Sequence, residues 1–295
     1  MATTKVAAAQ IGADLDQVEA NVRRVVGAID DAAAQGVQLV VLPETVLNGY
    51  MFEDLESVCQ SALALEGPEL TAIVEACRRG GIIAVVGLLE AADDVVYNTA
   101  VLVGPDGLIG SYRKQHLPCL GLDRFVTAGQ QAHPAVFDTP IGRVGLAICY
   151  DIRFPESARC LALAGADIIV QPSVWPDTVD IIANHMVRVR AAENHVFLVA
   201  VTRGDKEAGI QFRGNSQIID PRGNVLAWAG QGDALITADV DLSFSAQKRI
   251  VVRPGKYEVS LFQDRRPASY AGITSATGPD GLVADAERCP QHEPV

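Results

Sequence analysis

Three segments of the chain each place a reactive side chain at or near the end of a short apolar run. Glu44 follows the run Val40–Leu42, Lys114 lies in a polar segment, and Cys149 ends the run Val144–Ile148. A carboxylate can accept the proton of a thiol, and an ammonium can stabilise the oxyanion that forms when the thiol attacks an amide-type carbon. A free thiol has a pKa of about 8.5 and needs such help at neutral pH. Together, the three residue types are compatible with nucleophilic catalysis by Cys149.

Each of these residues also has a simpler structural interpretation when it is considered alone, as a surface carboxylate, a solvated lysine or a small buried apolar cysteine. Other catalytic classes, however, lack their motifs, because the chain has no GxSxG elbow, no GxxxxGK[ST] phosphate loop and no HExxH helix. Its five histidines lack metal-ligand spacing, and its six cysteines form no CxxC pair. We therefore expect no metal and no cofactor. Cys289 and His292, near the chain end, are too small a ligand set to change this expectation.

The charge and hydropathy of the chain exclude several classes of partner. The 295 residues carry a formal net charge of −12, with a pI of about 4.8, so a nucleic-acid backbone would be repelled. The longest strongly apolar run, Ile82–Leu89, is far shorter than the roughly 20 residues that span a bilayer. Residues Met1–Gln10 lack the long apolar region of a signal peptide. We expect no nucleic-acid partner, no membrane, and a cytoplasmic location with reduced cysteines.

Short β-branched runs alternate with amphipathic stretches, which favours an α/β fold that positions the three segments at strand ends. Strands are predicted over Lys5–Gln10, Leu39–Leu42, Ile82–Leu88, Asn98–Val103, Gly145–Cys149, Asp167–Gln171, Val196–Thr202, Ser216–Asp220 and Leu235–Asp239. A first helix is predicted from residues that share one face, namely Val18, Val22, Val25, Val26, Ile29 and Ala33. Further helices are predicted over Glu69–Arg79, Glu156–Ala164 and Asp177–Glu193.

Turn residues and composition set the expected domain organisation. Pro105–Gly107 and Pro221–Asn224 separate apolar runs, so each predicts a hairpin. No Ser/Pro-rich linker divides the chain, which favours a single domain over residues 1–264. Residues 265–295 are polar and rich in Gly and Pro, and we expect an extended arm or a partly disordered tail there.

The order of these segments resembles that of the nitrilase superfamily of carbon–nitrogen hydrolases over nearly the whole chain. The motifs that carry the resemblance are the Val-Ala-Ala-Ala-Gln strand at residues 6–10, the Pro43-Glu44 pair, Tyr112-Arg113-Lys114-Gln115-His116-Leu117, Cys149-Tyr150-Asp151-Ile152-Arg153-Phe154-Pro155-Glu156, Arg190-Ala191-Ala192-Glu193-Asn194 and Phe212-Arg213-Gly214-Asn215-Ser216. The Glu-Lys-Cys triad of that family matches Glu44, Lys114 and Cys149. The resemblance implies a four-layer α-β-β-α sandwich whose subunits form a homodimer or a higher homo-oligomer.

The resemblance also implies roles for residues near the triad. The backbone N–H of Tyr150 is the expected second donor to the oxyanion, beside Lys114. Two positions depart from the family pattern. Asp123 stands where a second glutamate often follows the lysine, and the strand that usually ends in asparagine continues here into Thr202–Gly204. The roles of these two positions are left open by the sequence.

The residues after the nucleophile favour an amide as the substrate. Nitrilases usually follow the cysteine with Trp-Glu and D-carbamoylases with Asn-Asp, whereas this chain has Tyr150-Asp151. A small-molecule primary carboxamide is therefore the first expectation, with Tyr50, Tyr150 and Trp175 as candidates to line the acyl pocket. Trp175 is equally compatible with core packing. The alternatives are a hydrolase of N-carbamoyl amines or amino acids, and a catalytically inert family member that acts as a binding protein.

Overall fold

A computed structural model describes residues 3–274 of the chain. The strands are β1 Thr4–Gln10, β2 Leu39–Val41, β3 Ile83–Ala92, β4 Val95–Gly104, β5 Gly107–Arg113, β6 Val136–Thr139, β7 Gly142–Leu146, β8 Ile168–Pro172, β9 Phe197–Val201, β10 Lys206–Glu207, β11 Ile210–Gln211, β12 Gln217–Ile219, β13 Val225–Trp228, β14 Ala234–Val240, β15 Ile250–Arg253 and β16 Tyr257–Val259. The α-helices are α1 Val18–Ala34, α2 Leu55–Ser61, α3 Pro68–Gly80, α4 Pro155–Leu163, α5 Val187–Asn194 and α6 Ser243–Ala246. Tighter 3₁₀ turns span Gly121–Arg124, Cys149–Arg153 and Pro267–Thr274.

Two six-stranded sheets form the centre of the molecule. The first sheet has the order β14-β1-β2-β3-β4-β5, and the second has the order β13-β12-β9-β8-β7-β6. In each sheet three central strands are parallel, β1-β2-β3 in the first and β7-β8-β9 in the second. Both predicted hairpins are confirmed, since antiparallel pairs β4-β5 and β12-β13 flank the two turn sequences. Each predicted strand is present, with its ends shifted by a few residues.

Alternation along the strands divides the core into layers. In β1, Val6 and Ala8 share an apolar cluster with second-sheet residues, whereas Ala7 and Ala9 belong to the cluster that α1 and α3 cover. The period of two along a strand places these pairs on opposite faces. Each fully buried Val, Leu or Ile contributes about 1.5–3 kcal/mol of transfer free energy. Helices α4 and α5 cover the outer face of the second sheet. The predicted four-layer α-β-β-α sandwich is confirmed.

Helix α1 confirms the amphipathic pattern, because Val25 and Ile29 are fully buried one turn apart. The helix predicted over Asp177–Glu193 is wrong at its start. Asp177 lies in a turn, and its N–H donates to the Gln211 carbonyl at 3.0 Å. A π-helical turn, Ile182–Met186, then leads into α5. A π-helical turn contains one more residue than an α-helical turn, so the spacing of apolar residues along this segment differs from that of a regular α-helix.

The chain beyond β14 forms the short hairpin β15-β16 and then the exposed turns of Pro267–Thr274. The boundary expected near residue 264 stays a prediction, and Cys289 and His292 lie outside the described residues. Among residues 3–274, no helix is long and apolar enough to cross a membrane. The cytoplasmic location likewise stays a prediction.

Candidate active site

The three sequence segments converge because of the direction of their strands. Glu44 follows β2, Lys114 follows β5 directly, and Cys149 follows β7. Strand β5 runs in the same direction as β2 and β3, since it is separated from β3 by two antiparallel pairings. All three side chains therefore leave the carboxyl ends of strands, the edge at which α/β sheets usually bind ligands.

The backbone around Glu44 crosses directly over Gly87 of β3. A Cβ atom at position 87 would lie 2.4 Å from the Thr45 nitrogen and 2.5 Å from the Pro43 oxygen, so only glycine fits beneath this turn. Thr45 itself has a φ of 43°, which a residue with a side chain rarely adopts. The turn directs the Glu44 side chain into the interior, where it is fully buried.

Lys114 is a buried ammonium held between two carboxylates. Its Nζ donates to Glu44 Oε1 at 2.7 Å and to Asp123 Oδ2 at 2.5 Å. Asn98 closes the cluster, because its Nδ2 donates to Glu44 Oε1 at 2.8 Å and to Asp123 Oδ1 at 2.9 Å. Burial lowers the pKa of Lys114, but the charges of Asp123 and Glu44 outweigh it and leave that pKa well above its ordinary value. Lys114 is therefore a fixed positive charge at neutral pH.

Glu44 is arranged to exchange a proton. Burial raises its pKa, Lys114 opposes the rise, and the second carboxylate, Asp123, adds to it. Its Oε1 is occupied by Lys114 and Asn98, whereas its buried Oε2 has no hydrogen-bond partner among the described residues. A carboxylate with a raised pKa and one open oxygen suits a general base that must later act as an acid.

Cys149 lies on a sharp elbow between β7 and α4. The predicted strand Gly145–Cys149 ends earlier than expected, at Leu146, because Cys149 opens a 3₁₀ turn with a φ of 42°. Asp151 stabilises the turn, since its Oδ2 accepts the Ile148 N–H at 2.8 Å. Gln171 donates to the Cys149 carbonyl at 3.0 Å. Strained backbone of this kind occurs often at functional sites.

The pKa of the Cys149 thiol is raised by some neighbouring groups and lowered by others. Burial raises its pKa well above the ordinary value, and the Glu44 carboxylate raises it further, whereas Lys114 lowers it. The side chain is 7% exposed, and Sγ lies 3.7 Å from the Val174 carbonyl oxygen. The balance favours the protonated thiol, so a neighbouring base would be needed to form a thiolate here.

Asp123 and Tyr50 form a layer behind Lys114. The Tyr50 hydroxyl donates to Asp123 Oδ2 at 2.7 Å, and burial together with the Asp123 charge raises the pKa of Tyr50, so it remains a donor. A Cβ on Gly121, whose φ is 51°, would lie 2.6 Å from the Tyr50 ring. This close packing brings the short Asp123 side chain within reach of Lys114. The structure thus places the Tyr50 hydroxyl in this supporting layer, and the expected role of Tyr50 in the acyl pocket stays a prediction.

Tyr150 and Trp175 lie outside the hydrogen-bonded cluster. Tyr150 is half-buried and packs edge-on against Phe154, with ring centroids 5.3 Å apart. Trp175 is buried in the same apolar cluster as Cys149, and its backbone N–H donates to Thr202 Oγ1 at 3.1 Å. Thr202 therefore supplies the polar group at the end of β9, where the family pattern has asparagine.

The sequence interpretation missed two supporting residues, Asn98 and Asp151. A single asparagine near the start of an otherwise apolar strand was the available signal for Asn98. Asp151 was noted only as part of the cysteine motif, yet it also contacts His116 Nδ1 at 2.6 Å and accepts from the Tyr112 hydroxyl at 2.9 Å. Within residues 3–274, no group of three or more His, Cys, Asp or Glu side chains is placed to hold a metal ion.

Residues 5–250 match the carbon-nitrogen hydrolase family. The chain belongs to this family, and it is a hydrolase of carbon–nitrogen bonds. It is 38% identical over 270 residues to a nitrilase from Pyrococcus abyssi, covering 90% of this chain and 98% of the relative. It is 31% identical over 262 residues to an omega-amidase from Homo sapiens, covering 85% and 91%. It is also 34% identical over 229 residues to an (R)-stereoselective amidase from a Pseudomonas species, covering 75% and 79%.

Solved structures show the same fold. An amidase from a Nesterenkonia species superposes with a TM-score of 0.78 at 24% identity, covering 92% of this chain and 96% of that one. A variant of that amidase shows covalent addition of the acetamide moiety of fluoroacetamide at its active-site cysteine. That variant has a TM-score of 0.78 at 23% identity, and the coverage is 92% and 97%.

Proposed function

We propose that the protein is a cysteine-dependent amidase that converts a linear primary carboxamide to a carboxylate and ammonia. The observation that carries this proposal is the buried Lys114 ammonium, fixed by Glu44 and Asp123 beside the Cys149 elbow. Relatives named omega-amidase and (R)-stereoselective amidase support the same reaction class. Cys149 is the nucleophile, Glu44 the proton carrier and Lys114 the oxyanion partner.

The first half of the reaction forms a thioester. As the Cys149 sulfur attacks the carbonyl carbon, its proton passes to the open Oε2 of Glu44 and the carbonyl oxygen becomes an oxyanion. Lys114 and the backbone N–H of Tyr150 stabilise that charge, and losing one such donor typically costs about 10²- to 10³-fold. Glu44 then gives its proton to the departing nitrogen, so the carbon–nitrogen bond breaks and ammonia leaves.

The second half of the reaction releases the acid. Glu44 takes a proton from water, and the resulting hydroxide attacks the thioester carbon. The oxyanion reforms against Lys114 and then collapses, so the carbon–sulfur bond breaks and the sulfur regains the proton from Glu44. One carboxylate serves both halves because burial raises its pKa above the ordinary value of a glutamate, so it holds the transferred proton more readily than an exposed glutamate would.

One experiment separates the possible substrates of this site. Kinetics on a single acyl group, presented as amide, nitrile and N-carbamoyl amine, should give a kcat/KM for the amide at least about 10-fold above that for the nitrile, or roughly 1.4 kcal/mol of transition-state free energy. A nitrile must pass through a thioimidate that needs extra protonation, whereas an amide directly forms the oxyanion that suits Lys114. Ammonia release is the measurement for all three compounds.

The other outcomes of this comparison are also informative. A clear preference for the nitrile would overturn the amidase assignment in favour of the activity named for the Pyrococcus relative. A preference for the ureido compound would assign an N-carbamoyl hydrolase that uses the same three side chains. Absence of ammonia from every compound, despite a folded protein, would indicate a binding protein.

We also propose that the protein forms a homodimer through its outer helical layer. Leu163 of α4 is 44% exposed, Val189 of α5 is 50% exposed, and Trp228 of the edge strand β13 is 61% exposed. Exposed apolar side chains of this size favour contact with another protein surface. Sedimentation velocity should give a dimer or a larger species, and Val189→Asp should shift it toward the monomer. A monomeric wild type at micromolar concentration would contradict this proposal.

A further inference from the structure

A second buried charged group lies behind the catalytic cluster, at the position where the sequence departs from its family pattern. Arg203 follows β9 and its side chain is fully buried. Its guanidinium donates to Glu207 Oε2 at 2.7 Å and to the Ala13 carbonyl at 2.5 Å. It also forms two hydrogen bonds to Asp205, at 2.9 and 2.6 Å. The arginine therefore fixes the Glu207 carboxylate in one orientation.

Glu207 uses its other oxygen to hold a loop of the first sheet. Its Oε1 accepts the N–H of Tyr50 at 2.9 Å and the N–H of Met51 at 2.7 Å. The loop lies directly against this carboxylate, since a Cβ on Gly49 would be 2.9 Å from Glu207 Oε2. Glu207 itself is 6% exposed. Hydrogen bonds from two consecutive backbone N–H groups to one buried carboxylate fix the position of Tyr50 closely.

Tyr50 in turn positions Asp123, which holds the catalytic lysine. Its carbonyl accepts the Leu122 N–H at 2.9 Å, and its hydroxyl donates to Asp123 Oδ2 at 2.7 Å. The same Asp123 oxygen accepts from Lys114 Nζ at 2.5 Å. The Tyr50 ring packs closely against Gly121, since a Cβ atom at position 121 would lie 2.6 Å from the ring. A displacement of Tyr50 therefore displaces Asp123 and the ammonium that Asp123 holds.

We propose that Glu207, oriented by Arg203, is a positioning residue for Lys114 and acts through Tyr50 and Asp123. This inference rests on the proposed amidase function, in which Lys114 stabilises the oxyanion. Glu207 does not touch the reacting atoms. Its effect comes from geometry, because a displacement of about 1 Å in a catalytic group can cost about 10²-fold in rate.

Substitution of Glu207 tests this role. Glu207→Gln keeps an oxygen for the two backbone N–H groups but loses the ion pair with Arg203, and we expect kcat to fall about 10-fold. Glu207→Ala removes the contact altogether and should lower kcat about 10²-fold. KM should stay within about twofold in both variants, since an interaction made in the transition state affects kcat rather than ground-state binding.

Asp205→Asn provides the matched control. Asp205 contacts the same arginine, but it is partly exposed, and both of its carboxylate oxygens accept from that arginine. The asparagine variant should lower the melting temperature in a manner similar to Glu207→Gln and leave kcat within about threefold of wild type. The asparagine side chain still offers an oxygen to Arg203 and leaves the Arg203–Glu207 ion pair intact, so an equal loss of kcat in the control would attribute the effect to general destabilisation and overturn the inference.

A double-mutant cycle tests the route through Tyr50. Tyr50→Phe removes the hydroxyl that contacts Asp123, so the combined loss in the Glu207→Gln, Tyr50→Phe variant should be clearly smaller than the product of the single losses. If the kcat losses of the two single variants multiply in full, the proposed route through Tyr50 is overturned. If Glu207→Ala does not fold, the glutamine variant and this cycle still decide the question.

Activity measurements on Glu207→Gln, Lys114→Met and the wild type distinguish a failure of the positioning role from a failure of the amidase function. If Glu207→Gln is less stable but has unchanged kcat and KM, while Lys114→Met is inactive, the positioning role is overturned and the amidase function stands. If the wild type releases no ammonia from amides, or if Lys114→Met retains full activity, the amidase function and the positioning role both fall.

Discussion

Cys149→Ala is expected to reduce amide turnover to the background rate while the protein remains folded. The substitution removes the nucleophilic sulfur and keeps the Cβ atom, so the strained elbow at φ 42° is no more crowded than before. We expect the free energy of unfolding to change by no more than about 1–2 kcal/mol. Ammonia release measures the first effect, and thermal denaturation followed by circular dichroism measures the second.

A control substitution at a second cysteine and the detection of an acyl adduct make this prediction specific to Cys149. Cys160→Ala changes an exposed free thiol on α4 and should leave kcat unchanged. Mass spectrometry of the wild type with a slow amide should show one acyl group on the peptide that contains Cys149. An adduct on a different residue, or a Cys149→Ala enzyme with wild-type turnover, would contradict the proposed nucleophile.

Glu44→Gln and Lys114→Met are each expected to lower kcat by at least about 10²-fold. Glu44→Gln cannot take the thiol proton, and Lys114→Met removes the positive charge opposite the oxyanion while keeping a side chain of similar length. The combined loss should be much smaller than the product, because groups that act as one unit show non-additive effects. Steady-state kinetics on one amide, for both single variants and the double variant, provides the measurement.

Stability must be separated from chemistry in these variants. Removing Lys114 leaves Glu44 and Asp123 as two buried carboxylates without their shared cation, and breaking a buried pair typically costs about 3–5 kcal/mol. Kinetics should therefore be measured well below each melting temperature, with Lys206→Met, a change of an exposed lysine, as the control of unchanged activity. Losses that multiply in the double variant would mean that Glu44 and Lys114 act independently.

The fold was largely predictable because its main signals are local. The short apolar run of β1, the single apolar face of α1 and the two hairpin turns that contain Pro-x-Gly each depend on residues close together in the chain. The convergence of Glu44, Lys114 and Cys149 followed from strand ends and from family resemblance. The layered core then required only that the two sheets bury their inner faces together.

The supporting residues could not be predicted because their partners are distant in sequence. Asn98 bridges Glu44 and Asp123, and although a polar residue within β4 is a local signal, it does not indicate which partners the side chain contacts. Tyr50 was expected to line the acyl pocket, and the sequence did not indicate that its hydroxyl also contacts Asp123 and the Leu120 carbonyl behind Lys114. Hydrogen bonds of this kind depend on ångström-scale distances between loops, which periodicity and turn residues do not specify.

The bare backbone of Gly87 leaves room for the turn that carries Glu44, the proposed general base. The chain that carries Glu44 can cross β3 only because nothing projects from that strand at this point. Mutant libraries designed to change substrate preference normally vary the side chains that face the substrate. Such libraries would not include position 87. A methyl group at position 87 would nevertheless displace the backbone around Glu44, whether or not a substrate is bound. The tolerance of this enzyme to redesign is therefore set partly by a position that has no side chain.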